Sequence, residues 1–209
     1  MRAAAGRAPG KERADAQDVK RRGQIAGHRG DVPAAASIAG VAPWGAQGLD
    51  FLDGMGADNL EEFGLAVRGD AELRPWLTAH RSGLLGASAD GLAQQLRTLL
   101  SPVDVAALGD QTGHFLHASI TTGLAPGVDG WLDDDLAFVR PWGFDLGQIQ
   151  VPILVLQGVE DLMVPPAHGR WLGAHLPTAS TWVEPGQGHL SLLLDIGRVH
   201  AWLLEQWRD

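Results

Sequence analysis

Two residues in the last quarter of the chain could share one piece of chemistry. The stretch Leu156-Gln157-Gly158-Val159-Glu160-Asp161 closes an apolar run with a glycine turn and presents a carboxylate. Further on, Gly186-Gln187-Gly188-His189 presents an imidazole from a second glycine-rich turn. A carboxylate that accepts from one imidazole nitrogen fixes the ring's tautomer and stabilises its protonated form. The glycines on either side of Gln187 let the backbone turn tightly and present the ring.

These residues depend on the elements that carry them. Val151-Pro152-Ile153-Leu154-Val155-Leu156 reads as a buried strand. A helix is predicted at about 165–176, then a short strand at Thr181-Trp182-Val183, then an amphipathic helix through Leu193, Ile196, Val199, Leu203 and Trp207. Strand, helix, strand, helix points to an α/β sheet with parallel strands. The loops that follow such strands share one edge, where ligands bind, so Asp161 and His189 can meet despite their separation in sequence. Upstream, the small-residue apolar run from Pro33 to Val41 is predicted as a further strand, ending at Ala42-Pro43-Trp44-Gly45. Residues 46–130 read as short helices. Asp58 and Asp70 open two of them, Ser88 caps one over 89–100, Ser101-Pro102-Val103-Asp104 starts another, and Asp110 to Leu124 is the last. The helical block is thus an insertion between two strands.

Charge divides the chain of 209 residues unevenly. Residues 1–30 hold eight Lys/Arg against three acids, a balance of +5, while the rest holds eight arginines against 22 acids, a balance of −14. That acidic body argues against nucleic acid as a partner. Residues 1–31 carry only Met1, Val19 and Ile25 as large apolar residues, and are expected to be a disordered basic leader. The absence of cysteine excludes disulfides and cysteine-held metals. No stretch reaches the roughly 20 apolar residues of a membrane span, and Met1 is not followed by an apolar run. The expectation is a cytoplasmic protein with no membrane partner.

The residues resemble the α/β-hydrolase family. Val151 to Pro165 is similar to that fold's strand-and-acid segment, and Gly186-Gln187-Gly188-His189 to its histidine loop. Ser37 to Pro43 resembles the strand before the family's helical cap, and Gly127 to Leu136 with Pro141 to Asp145 the return from cap to core. The resemblance covers about residues 32–209. It implies a partial α/β-hydrolase sheet made of the last three parallel strands, an all-helical cap at 46–130, and a core at 32–45 and 131–209. It also implies hydrolysis of a small-molecule ester or amide through an acyl-enzyme, with His189 as general base and then acid, and Asp161 as its orienting carboxylate. The family's spacing between glycine and acid selects Asp161 over Glu160. No cofactor or metal is implied.

The family's nucleophile sits in a G-x-S-x-G turn before the cap, and no serine precedes Ser37. Ala35-Ala36-Ser37-Ile38-Ala39 lacks the following helix, and Ser88 is a helix cap. Asp31 has no strand before it, and the oxyanion strand is missing as well. The expectation is therefore a truncated chain without a nucleophile. The alternative is an inactive fragment, or a binding half that depends on a partner and associates through an exposed sheet edge.

Other groups have ordinary readings. His114 and His117 lack a third metal ligand, His168 and His175 read as partly buried neutral histidines, and Asp133-Asp134-Asp135 as a solvated helix start. Glu61 and Glu62 suit a solvated face or, as in iminopeptidase-like relatives, a substrate amine. Trp44, Trp76 and Phe115 suit a lid or a core.

Overall fold

A computed structural model of the chain describes residues 32–207, and the expected leader at 1–31 lies outside the described residues. In chain order, β1 (Ala35–Ile38) precedes the helices α1 (Ala57–Arg68), α2 (Asp70–Gly86), α3 (Leu92–Gln95), α4 (Pro102–Ala107), α5 (Asp110–Leu124) and α6 (Asp129–Phe138). Then come β2 (Ile153–Gly158), α7 (Pro166–His175), β3 (Ala179–Glu184), a 3-10 turn at Ser191–Asp195 and α8 (Ile196–Gln206). The strands form one parallel sheet in the order β1-β2-β3. The helices run past residue 130 as far as Phe138.

All six residues of β2 are buried, as its unbroken apolar run anticipates for a strand covered on both faces. Leu154 and Leu156 join Ile38 and Trp182 on one face, against Val199, Trp202 and Leu203 of α8. Ile153 and Val155 take the other face, against Leu172 of α7 and Leu176 just after it. Each such side chain contributes roughly 1.5–3 kcal/mol on burial. The helical block has its own core, where Leu73 and Leu77 of α2 meet Ala66 of α1 and Leu132 of α6.

His168 joins block and sheet. Fully buried on α7, it accepts from the backbone N–H of Ala42 at Nδ1 (3.0 Å) and pairs its Nε2 with the Phe51 carbonyl (2.9 Å). A nitrogen that accepts must be unprotonated, so the ring is neutral with its hydrogen on Nε2. Burial holds the group below the ordinary imidazole range. His175 instead stacks on Trp171, ring centroids 3.7 Å apart.

Two acids of the helical block depart from the solvated faces expected of them. Glu62 on α1 and Asp135 on α6 are both buried, and the Trp131 indole donates to Glu62 Oε1 at 2.6 Å. Asp135 Oδ2 has no donor among the described residues. Two facing carboxyls with one indole N–H between them are satisfied when one keeps its proton. Burial first, and Asp135 second, push Glu62 up to about 9; burial raises Asp135 to about 6.

These two buried sites give stability opposite dependences on pH. The unfolded chain takes up a proton on His168 near pH 6.5 while the folded protein resists it, so that contribution is present at neutral pH and lost as pH falls. His168→Phe should cost about 2–4 kcal/mol in urea denaturation at pH 7.5 by stranding two backbone groups, and should flatten the acid limb. The folded-state value of Glu62 is raised, so its contribution is complete below 4.5 and disappears as pH rises towards about 9. Thermal melts of the wild type should therefore fall between pH 6 and pH 9 by several degrees, and those of Glu62→Gln should stay level.

Candidate functional site

The site begins where β2 stops. Gln157 is the last side chain on that strand, fully buried, and its amide donates to Asp161 Oδ2 (3.1 Å) and to the Val164 carbonyl (2.5 Å). Asp161 Oδ1 accepts from the backbone N–H groups of Met163 and Val164, each at 2.8 Å, which closes an Asx turn around the acid. Its Oδ2 lies 2.9 Å from His189 Nδ1.

His189 arrives from the loop after β3. Gly186 there has φ +73°, a left-handed conformation that an L side chain rarely adopts. The two loops are bonded along their length: Val159 N–H donates to the Glu184 carbonyl (3.0 Å) and Glu160 N–H to the Gln187 carbonyl (2.8 Å). A Cβ at position 158 would collide with the Gln187 and Gly188 carbonyls, so this close approach requires Gly158. The Asp161 side chain is wholly buried, whereas that of His189 keeps 27 % exposure. A carboxylate can only accept, so Nδ1 carries the shared hydrogen and Nε2 keeps its lone pair. Such a ring can take a proton at Nε2 with the charge balanced by Asp161.

No serine hydroxyl among the described residues bonds to this ring. Ser37 lies inside β1 opposite Val155, and the backbone leaves its strand geometry two residues later, at Ala39 with φ +50°. Ser88 accepts from the Gly91 N–H, and Ser191 accepts from the Gly188 N–H at 2.8 Å. Ser101 donates to Asp104 Oδ2 at 2.8 Å.

Asp104 was invisible as a site residue in the sequence, where it reads as part of a local helix start. It is fully buried, and its oxygens accept from the backbone N–H groups of His189 (3.0 Å), Leu190 (2.7 Å) and Ser191 (3.0 Å). Those partners lie 85 to 87 residues further along the chain, beyond any local pattern.

The remaining candidates lie elsewhere. His117 pairs with the Ala87 carbonyl at 2.9 Å, and among the described residues no three His, Asp or Glu are grouped to hold a metal ion. Phe115 is 72 % exposed and packs in no core, while Trp44 leans on Phe51 and Trp76 on His80. Glu62 and Asp58 border a cavity of about 320 Å³ with Trp76, Leu99 and Trp131. No helix among the described residues is long and apolar enough to cross a membrane.

No protein-family profile matches the chain, and no curated protein does. Solved structures similar to it include the esterase RhEst1 from Rhodococcus sp. ECU1013, 17 % identical, with 86 % of this chain and 58 % of that one covered at a TM-score of 0.46. A meta-cleavage product hydrolase from Pseudomonas fluorescens IP01 is 12 % identical, covering 83 % and 54 % at 0.45. A bromoperoxidase from Bacillus anthracis is 20 % identical, covering 68 % and 50 % at 0.45. The chain therefore spans little more than half the length of these structures. Its own topology decides the fold: three consecutive parallel strands, an acid after the second, a histidine after the third, and a helical block inserted after the first. The described residues form a partial α/β-hydrolase fold.

Within this fold the Asp161 side chain has four hydrogen-bond partners. Asp161→Asn should turn an amide N–H towards one of four donors and destabilise the protein by roughly 1–3 kcal/mol. Urea denaturation at pH 7.5 measures this, and an unchanged midpoint would show that the carboxylate is not needed to hold the turn.

Proposed function

We propose that this chain supplies the base half of a hydrolytic site that cleaves an ester or amide through an acyl-enzyme. His189 Nε2 would take the proton of an attacking hydroxyl and return it to the leaving group, and Asp161 would hold the ring and balance its charge. The observation that carries the reading is the 2.9 Å contact between a wholly buried carboxylate and a partly exposed imidazole, at the edge where the loops after β2 and β3 meet. The attacking hydroxyl and the oxyanion donors would come from outside residues 32–207. In the hydrolase fold they belong on strands beside β1, whose outer edge pairs with no strand among the described residues. The same edge is the surface through which we propose that a complementary segment associates.

A chromogenic short-chain ester tests both parts. The 209-residue chain alone should hydrolyse it no faster than its His189→Ala variant does. The coding DNA upstream of Met1, and the alternative frames across residues 1–31, should encode a G-x-S-x-G turn. A protein extended to include that turn should gain turnover, which His189→Ala lowers by about 10⁴-fold or more and Asp161→Asn by about 10⁴-fold. An extended enzyme indifferent to His189→Ala would refute the role of the imidazole. Turnover by the 209-residue chain that vanishes with His189→Ala would refute the need for an outside nucleophile.

A further inference from the structure

Three consecutive backbone N–H groups, of His189, Leu190 and Ser191, open the 3-10 turn at Ser191–Asp195 and point at one buried carboxylate. The first N–H groups of a helical turn have no partner within it, and a capping side chain usually comes from the residues just before. Here the acceptor comes from α4, in the inserted helical block. Ser191, the one local hydroxyl, is committed to the Gly188 N–H.

The fit is close on the other side too. A Cβ at position 188 would collide with both Asp104 oxygens and its Cγ, so the residue before His189 must be glycine for the carboxylate to seat. Immediately before α4 the Ser101 hydroxyl donates to the same carboxylate and holds its rotamer. The backbone of His189 is thus fixed from the helical block and its ring from the sheet. A local cap would preserve only the internal shape of the loop; a cap borne by α4 also sets where the loop stands relative to the block.

We propose that Asp104 is a positioning residue, which aims the His189 ring at Asp161 and ties that aim to the seating of α4 on the histidine loop. Its bearing on catalysis rests on the general-base role of His189, whereas the geometric claim does not.

The test uses the whole 209-residue chain and proton NMR. The hydrogen shared by His189 Nδ1 and Asp161 should give a downfield imidazole resonance, assigned by its loss in Asp161→Asn. In Asp104→Asn, which keeps the size of the side chain but turns an N–H group towards one of the donors, that resonance should disappear. The amides of His189, Leu190 and Ser191 should exchange at least about tenfold faster, the equivalent of one lost hydrogen bond. The amides of Leu154 and Val155 on β2 should keep their wild-type rates. Faster loop exchange with the downfield resonance intact would overturn the proposal, because Asp104 would then cap the turn without aiming the ring. Should Asp104→Asn not fold, Gly188→Ala keeps the carboxylate and forces it off the loop; the same losses are expected, and an unaltered resonance there would overturn the proposal equally. An extended enzyme insensitive to His189→Ala would remove the general-base reading and leave these NMR outcomes standing.

Discussion

A carboxylate removed from water must find donors for its lone pairs, or its burial costs several kcal/mol. The site is arranged around the way Asp161 meets that demand. One donor is Gln157 on β2, two are backbone N–H groups of its own turn, and the fourth is the His189 ring. The last can arrive only because β2 and β3 run level, with Ile153 opposite Ala179 at the start of the pairing and Gly158 opposite Glu184 at its end. A slip of one residue would turn Leu154 and Leu156 to the wrong face and carry the histidine loop away from the acid. Apolar burial therefore sets the register, and the register delivers the imidazole.

The parts of this arrangement that were legible in the sequence are those written in short range. β2 shows as an unbroken apolar run, the helices at 166–175 and 196–206 show by their periodicity, and the two glycine turns mark where chemistry can sit. The contacts that join distant segments were not legible. Ala42 and His168 are 126 residues apart, and Asp104 and His189 are 85 apart. Nothing near either partner distinguishes it from a surface residue or a local cap. The helix expected over 89–100 contracts to Leu92–Gln95, because the chain beyond it turns to press the Thr98 carbonyl against Gly56. A leucine pattern records that these side chains are buried without recording that the backbone bends to bury them.

The buried acids of this protein fall into two kinds, separated by the donors each can reach. Asp161 and Asp104 are surrounded by N–H and O–H groups. Glu62 has a single indole N–H and Asp135 Oδ2 has no donor among the described residues, so a proton has to fill the place of the missing donor. That difference assigns the two kinds different work. The donor-rich carboxylates orient a loop and a ring, whereas the donor-poor pair ties α1 to α6 in a way that depends on pH.

The inserted block is consequently more than a cover laid over the sheet. A cover held by apolar contact alone could lift at a cost spread over many small contacts. Moving α4 would instead strip three N–H groups of one acceptor, each at about 1–3 kcal/mol when left buried and unpaired. The penalty falls on the loop that presents His189, and on a residue whose ring is already held from the other side by Asp161. With backbone and ring gripped by carboxylates from different parts of the chain, the imidazole has little freedom to turn. Its direction is fixed by the fold itself, from two carboxylates that lie 57 residues apart in the sequence.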